Sequence, residues 1–431
     1  MFALPVGKNR YKNTEMREMM SEHKWKRVMF CSMAVLLLLS LLAIAKQVDI
    51  HKHTKTKQAF AEETEEQLFG QMTAALFQNR KTGGNFTASH GVTPWELFFG
   101  MTDTAVIEEI GKNCIILTKE AVGNGLRIEE EPITASLRLI LPECTEYLKE
   151  GMWYRICSGI CHSEQPAEIE KKDLNARLAT KKMAEQEGED IVNAILQEKN
   201  TNESGITLTV ALDTVYESFL YEDEWYYYIS LKQPKELYDK ILVLDAGHGG
   251  YDPGTSSPNY AYREKDTNLA VILYMKELLD VREDIKTYYT RTTDWKPSLE
   301  QRVEFANALE ADLFISVHCN YNNNYTAVRG IEVLYNSAQN GRLPLDSKRL
   351  SQLCLEKLGE GVGLYQRGVI DRKDNVHIVG HSESPVALIE LGYMSNTKDL
   401  AILVNEESRR AAAVSIIEAV DAAFMEIEQN K

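Results

Sequence analysis

The chain has 431 residues, which is long enough for two or three domains and at least one large hydrophobic core. Its formal net charge of −16 argues against nucleic acid as a partner, because binding to phosphates requires a basic surface. The same acidity disfavours capture of anionic polymers by charge alone, so a partner of that kind would need specific contacts.

The N-terminal 45 residues have the pattern of a membrane anchor. Residues 1–27 form a polar tail rich in lysine and arginine, and residues 28–45 are apolar and carry no charge. Such a run can just span a hydrocarbon core of about 30 Å. The basic flank is expected to stay inside the cell, so we predict a cytoplasmic tail at 1–27, a transmembrane signal-anchor at 28–45 and extracytoplasmic domains after it. Cleavage near Ala45 and secretion is the alternative, because Ala43-Ile-Ala45 resembles a signal-peptidase site.

Two regions separate this anchor from the C-terminal half of the chain. Residues 46–84 are charged and helix-prone, which predicts a linker that holds the later domains away from the bilayer. Residues 85–236 contain no catalytic motif, but their short segments alternate apolar and polar residues as strands do. We therefore predict a β-rich accessory domain at 85–236 with one long charged helix at 167–199. Outside the cytoplasm its four cysteines could form up to two disulfides: Cys114, Cys144, Cys157 and Cys161.

Residues 237–431 alternate short apolar runs with helical patterns of about ten to fifteen residues. Such alternation predicts an α/β catalytic domain with a doubly wound, largely parallel sheet. Ligands of open α/β sheets bind outside the carboxyl ends of the strands. Polar residues at those ends are therefore the candidates for a functional site.

Three side chains at these ends have the chemistry of a metal site. His248 follows the apolar strand 241–244 in a glycine-rich turn, Glu264 begins the next helix, and His318 lies near the end of another apolar strand. Two histidines and one carboxylate leave the fourth position of a tetrahedral zinc open to water, which is the catalytic rather than the structural arrangement. We therefore predict zinc as the cofactor and these three residues as its ligands.

Glu390 stands inside a further apolar strand, between Val386 and Leu391. A carboxylate buried among apolar residues has a raised pKa, which suits a general base that takes a proton from water. Taken singly, each of the four residues has an ordinary explanation, since a glutamate at a helix start also serves the helix dipole. Their combination is what predicts a catalytic site.

Four separated blocks of the sequence are together similar to one known family. DAGHGG, REKDTNLA, FISVHCN and ALIELGYMSN, in this order, resemble the zinc-dependent N-acetylmuramoyl-L-alanine amidases of the Amidase_3 type. The resemblance covers residues 238–431 and implies the same three zinc ligands, with Glu390 as the catalytic carboxylate. It also implies hydrolysis of the amide between the lactyl group of N-acetylmuramic acid and L-alanine of peptidoglycan, by zinc-activated water with Glu390 as general base and acid. By position, Asn320 and Arg372 are candidate substrate contacts.

Two other classes of protein are compatible with this pattern. One is a different zinc-dependent cell-wall peptidase on the same scaffold, which would expose N-terminal residues other than alanine. The other is a non-catalytic wall-binding protein, although the intact set of four residues argues against it. The expected partners are peptidoglycan and the membrane that holds the N-terminal helix, and no pattern in the sequence predicts an oligomeric state.

Overall fold

The computed structural model describes residues 110, 113–157, 160–162, 166–168, 192–200, 204–222, 225–324, 326–339 and 343–430. The predicted tail, signal-anchor and linker at 1–84 lie outside these residues. Within the described part of the chain, no helix combines the length and the apolar character that a membrane crossing requires. The anchor at 28–45 therefore stays a prediction.

The described accessory region consists of two sheets that share one hydrophobic core. Its elements are β1 (Cys114–Thr118), α1 (Lys119–Val122), β2 (Arg127–Glu131), β3 (Ser136–Leu141), β4 (Trp153–Cys157), β5 (Ile160–His162), β6 (Ala167–Glu168), β7 (Val192–Lys199), β8 (Ile206–Leu212), β9 (Glu217–Glu222) and β10 (Tyr226–Lys232). The strand orders are β5-β4-β1-β10-β9 and β2-β3-β8-β7-β6. Apolar residues of both sheets, such as Leu117, Leu139 and Ile229, meet in the shared core. These residues thus form a β-rich domain, as the alternating pattern predicts.

The long helix predicted at 167–199 does not form at either of its described ends. Ala167–Glu168 is strand β6 and Val192–Lys199 is strand β7. β7 pairs with β8 along its length and buries Ile195 and Leu196. The prediction is wrong at these ends because pairing with a neighbouring strand, which no local pattern encodes, outweighs helix propensity.

The cysteines that the structure describes as thiols are buried. Cys144 in the accessory domain is not bridged, so the four accessory cysteines do not form two disulfides. Cys319 and Cys354 in the catalytic domain are also free and pack into its hydrophobic core. Burial raises the pKa of the Cys354 thiol to about 12, which makes it a packing residue rather than a nucleophile.

The catalytic domain is an α/β domain around one six-stranded sheet. Its elements are α2 (Pro234–Leu237), β11 (Ile241–Ala246), α3 (Glu264–Leu279), β12 (Lys286–Tyr289), α4 (Leu299–Ala308), β13 (Leu313–Asn320), β14 (Ile331–Tyr335), α5 (Ser347–Val362), β15 (Gln366–Asp371), α6 (His377–His381), β16 (Val386–Tyr393), α7 (Thr397–Leu403) and α8 (Glu406–Gln429). The strand order is β12-β11-β13-β16-β14-β15. Helices α3, α5, α7 and α8 cover one face, and α4 and α6 cover the other, as in a doubly wound fold.

The direction of two strands decides which residues reach the functional edge of this sheet. β12, β11, β13 and β16 are mutually parallel, whereas β14 pairs antiparallel with β16 and β15 runs parallel to β14. The sheet is therefore mixed, with a largely parallel character. Because β14 and β15 are reversed, their N-terminal ends lie at the edge where β13 and β16 end.

The accessory domain packs against helix α4 of the catalytic domain. Ile133, in the 3-10 turn Pro132–Thr134, and Val215 join a hydrophobic core with Val303 and Phe305 of α4. Beside this core, the carboxylate of Glu217 accepts hydrogen bonds from Tyr288 Oη at 2.6 Å and from Lys286 Nζ at 2.8 Å. The two domains therefore share buried apolar surface and a partly buried polar network, rather than being joined by the chain alone.

Candidate metal centre

His248 is presented by a backbone turn at the end of β11. Its φ of 61° lies in the left-handed region, which is uncommon for a residue other than glycine and is found at functional sites. At Gly247 an added Cβ would lie 2.3 Å from Cε1 of His318. The glycine before His248 is therefore what allows the two histidines to approach each other, and it explains part of the glycine-rich pattern in the sequence.

The three predicted ligands converge on one point. Oε1 of Glu264 is 3.1 Å from Nε2 of His248 and 3.0 Å from Nδ1 of His318. All three ligand atoms lie within 4.8 Å of one another, and among the described residues this is the group of side chains able to hold a metal ion. Strand ends from β11 and β13 and the first turn of α3 thus bring together residues that are distant in sequence.

The chemistry of these donors fits a divalent cation such as zinc. Glu264 is only 2% exposed, and its carboxylate is fixed by Thr255 N at 2.7 Å and Cys319 N at 3.1 Å. Burial raises its pKa, but the hydrogen bonds and charges of both histidines lower it far below the usual range. His318 also has a buried Nε2 without a hydrogen-bond partner among the described residues. Binding of a cation would displace the N–H protons through which the two imidazoles contact this carboxylate.

Asp252 orients His248 from the side away from Glu264. Its carboxylate is 3.1 Å from Nδ1 of His248 and 3.1 Å from Nζ of Lys296. Burial raises the pKa of Asp252, but these hydrogen bonds and one from Gly254 N lower it to about 2. A carboxylate on the second nitrogen of a histidine fixes the tautomer and the ring orientation that a metal ligand needs. No pattern in the sequence predicted Asp252 at this site.

Replacing Asp252 with alanine should therefore weaken zinc binding by about 10- to 100-fold, with asparagine between alanine and the wild type. Asparagine can still accept the hydrogen bond from His248 but lacks the charge. Competition with a chromophoric chelator would measure the affinity, and Asp284→Asn, an exposed aspartate paired with Arg282, is the matched control. An affinity within twofold of the wild type for Asp252→Ala would contradict this role.

A buried ion pair supports the turn that carries His248. Arg302 of α4 donates hydrogen bonds to the carboxylate of Asp245 and, at 2.7 Å, to the carbonyl oxygen of His248. Asp245 also accepts hydrogen bonds from Thr290 Oγ1 at 2.5 Å and Ser316 Oγ at 2.6 Å. Burial raises the pKa of Asp245, but the charges of Arg302 and His318 and the hydrogen bonds from Ser316 and Thr290 together lower it below its usual value, so the carboxyl stays ionised. In the sequence, this ion pair is indicated only by Asp245 inside an apolar strand, because a buried carboxylate needs a nearby cation.

Glu390 lies on the same face of the sheet as His318. The two residues are register partners on β13 and β16, and Glu332 on β14 is the register partner of Glu390 on its other side. Oε2 of Glu390 is buried and has no hydrogen-bond partner among the described residues. Burial is the main cause that raises the pKa of Glu390 to about 7; the charges of Glu264 and Glu332 also raise it, and those of His318 and His248 oppose the shift. The predicted base is therefore next to the candidate metal ligands.

The structure brings one of the two predicted substrate contacts to this edge. Asn320 ends β13, and its Nδ2 donates a hydrogen bond to Oε2 of Glu332 at 3.1 Å. Arg372 is exposed and follows the carboxyl end of β15. Because β15 is reversed, that end lies at the opposite edge of the sheet, so the structure does not place Arg372 near Glu390.

The C-terminal half of the chain is similar in sequence to known proteins. The family model of the Amidase_3 type, described as N-acetylmuramoyl-L-alanine amidase, matches residues 242–422. YqiI, an uncharacterized protein of Bacillus subtilis strain 168, is 32% identical over 185 residues, which covers 43% of this chain and 85% of YqiI. The chain belongs to the Amidase_3 family of N-acetylmuramoyl-L-alanine amidases.

Other relatives match the same share of this amidase. The N-acetylmuramoyl-L-alanine amidase LytC of Bacillus subtilis strain 168 is 28% identical over 186 residues, or 43% of this chain and 35% of LytC. The catalytic domain of CwlV from Bacillus (Paenibacillus) polymyxa var. colistinus is 29% identical, covers 44% of this chain and 99% of its own, and has a TM-score of 0.40. An N-acetylmuramoyl-L-alanine amidase from Clostridium difficile 630 is 29% identical, with shares of 43% and 97% and a TM-score of 0.41. The family match begins at residue 242, so the accessory domain of this amidase lies outside it.

Proposed function

We propose that this amidase cleaves the amide between the lactyl group of N-acetylmuramic acid and L-alanine of peptidoglycan, with a zinc ion held by His248, Glu264 and His318. The observation that carries the proposal is the convergence of three donor atoms beside Glu390, whose buried Oε2 has no partner among the described residues. A zinc ion held by these three residues would supply Lewis-acid polarisation of the scissile carbonyl and a lowered pKa for water. The family membership supports the choice of bond.

Glu390 moves the protons in this proposal. Its carboxylate accepts a proton from the attacking water and returns it to the leaving amine of L-alanine. Burial raises the pKa of Glu390 to about 7, and the positive charge of a zinc ion held by the three neighbouring ligands would lower that pKa again. The ionised form, which is the one that accepts a proton, is therefore present at neutral pH. Asp252 and Arg302 hold His248 in place while this happens.

Release of N-terminal L-alanine from purified peptidoglycan tests the proposal. The full chain should release it when loaded with zinc, should lose at least about 100-fold of its rate after treatment with a chelator, and should recover when zinc is added back. Magnesium serves as the control metal, because it prefers oxygen ligands and octahedral geometry. New N-terminal residues other than alanine would indicate a peptidase instead. A folded, zinc-loaded protein that releases no N-terminal residue would refute both activities.

We also propose that residues 28–45 anchor the protein in the cell membrane with the catalytic domain outside. The support is the charge-free run next to a basic flank. Full-length protein in the membrane fraction, degraded by protease added to cells stripped of their wall, is the expected result. A chain in the medium that starts near residue 46 would instead show cleavage and secretion.

A further inference from the structure

A β-bulge lies at the functional edge, on the flank away from His248. β14 and β15 are paired in parallel, but the register shifts between Ile331, which pairs with Gln366, and Glu332, which pairs with Gly368. Arg367 is the extra residue between those two pairs. Gly368 follows with a φ of 132°, a backbone conformation that favours glycine. Bulges of this kind re-aim a side chain and are frequent next to active sites.

Arg367, at this bulge, contacts the face that carries Glu390, because its side chain reaches Glu332, the register partner of Glu390 on β14. In the structure, Nε of Arg367 donates a hydrogen bond to Oε1 of Glu332. The guanidinium also lies over the ring of Tyr393, 5.6 Å from its centroid. Arg367 is thus held by a carboxylate and an aromatic ring.

The terminal nitrogens of Arg367 remain available for a ligand. The described residues supply a hydrogen-bond acceptor to Nε alone, and the side chain is 34% exposed. Glu332 is in turn fixed by Asn320, whose Nδ2 donates to its other oxygen at 3.1 Å. The contacts with Glu332 and Tyr393 therefore fix the orientation of the guanidinium, whose N–H groups can bind a carboxylate in a bidentate manner.

The position of this guanidinium limits which part of a substrate it can reach. β15 is two strands away from β16, which carries Glu390, and neighbouring strands lie about 4.8 Å apart. The backbone of Arg367 is therefore roughly 10 Å from that of Glu390, and its side chain reaches back towards Glu332. An extended peptide advances about 3.3–3.6 Å per residue. The guanidinium is within reach of a group carried one or two residues beyond the scissile amide.

We propose that Arg367, oriented by Glu332, binds a free carboxylate on the peptide side of the substrate, one or two residues beyond the scissile amide. This inference rests on the proposed function and specifies its substrate class, a muramyl peptide with an ionised carboxylate in that part of the stem. Glu332 is a positioning residue here, because it touches Arg367 and Asn320 rather than the reacting atoms. Its negative charge balances that of Arg367, so recognition depends on directed hydrogen bonds rather than on a general positive field.

Two soluble muramyl peptides that differ only at the residue after L-alanine would test this site. One carries a free carboxylate there, and the other carries the carboxamide. Rates are measured with the zinc-loaded full chain for the wild type, Arg367→Gln, Arg367→Lys and Glu332→Gln. Arg410→Gln is the matched control, because Arg410 is an exposed arginine on α8 that pairs with Glu406 and Glu277.

The wild type and Arg410→Gln should show a KM about 10- to 100-fold higher for the carboxamide, which loses a charge-assisted pair of hydrogen bonds. Arg367→Gln should remove this discrimination by raising KM for the carboxylate substrate, with kcat within about threefold and the zinc content unchanged. Lysine at 367 should restore part of the preference, since it keeps the charge without the bidentate geometry. Glu332→Gln should fall between the wild type and Arg367→Gln.

Equal KM values for both peptides in the wild type would overturn the inference. So would a preference that survives in Arg367→Gln, or a kcat that falls equally for both substrates, which would indicate a structural role. If the wild type cleaves neither peptide nor peptidoglycan, the proposed reaction is refuted, but the proposed carboxylate site can still be tested by binding. Calorimetric binding of the two peptides to zinc-loaded Glu390→Gln protein then decides: a carboxylate preference lost on adding Arg367→Gln supports the site, and equal binding refutes it.

Discussion

Replacing Arg302 with methionine is expected to destabilise the protein by about 3–5 kcal/mol, because it leaves the buried carboxylate of Asp245 without its cation. Asp245 is 0% exposed and Arg302 1% exposed, so water cannot take over the role of either partner. Urea unfolding at pH 7 would measure the loss. Adding Asp245→Asn to the variant should recover much of the stability, since a neutral amide can still bond to Thr290 and Ser316.

The exposed Arg410→Gln is the control for this variant and should stay within about 0.5 kcal/mol of the wild type. A loss from Arg302→Met no larger than that of the control would contradict the assigned role. The same pair predicts a pH dependence. The pKa of Asp245 in the folded state lies below its unfolded value, so its stabilisation is complete above the unfolded value and is lost as the pH falls through the folded one. The wild type should therefore lose stability below about pH 4, and the double variant should lack this component.

Glu390→Gln is expected to lower kcat by about 10²- to 10⁴-fold, the usual contribution of a general base. Glutamine has nearly the same shape but cannot accept the proton of the attacking water. Because the buried Oε2 has no partner among the described residues, a neutral amide there should not reduce stability. Rates of alanine release, zinc content and the midpoint of thermal unfolding are the three measurements.

The exposed Glu407→Gln, at the start of α8, is the matched control and should keep the wild-type rate. The wild-type rate should also fall at acid pH, as Glu390 becomes protonated below its apparent pKa, which is at or below about 7. If Glu390→Gln kept more than a tenth of the wild-type kcat with a normal zinc content, Glu390 would not be the general base.

The convergence of the candidate metal ligands and Glu390 was predictable because each of these residues stands at a break in a simple local pattern. His248 and His318 end apolar strands, Glu264 begins a helix, and Glu390 interrupts an apolar run. Parallel strand ends gather at one edge of a sheet, so placing the residues on strand ends also placed them together. The α/β character of the domain followed from the same alternation.

The residues that escaped prediction depend on long-range geometry. Arg302 meets Asp245 across 57 residues of sequence, and no local signal links the two. Arg372 was misplaced because the direction of β15 in the sheet is not encoded in its own sequence. Val192–Lys199 became a strand because β8 offered a partner, and Arg367 lies at the functional edge because β15 runs opposite to β16.

The packing of the accessory domain on α4 limits how freely this catalytic domain could be exchanged between proteins. Cutting the chain before α2 would uncover Val303 and Phe305, now buried beside Ile133 and Val215, and would remove Glu217 from Lys286. An isolated C-terminal fragment would therefore expose an apolar surface that favours aggregation, and Lys286 would lose the carboxylate of Glu217. If this fragment were fused to an unrelated N-terminal domain, that domain would need apolar residues to cover α4 in place of Ile133 and Val215. In this protein the accessory domain therefore contributes to the stability and solubility of the catalytic domain.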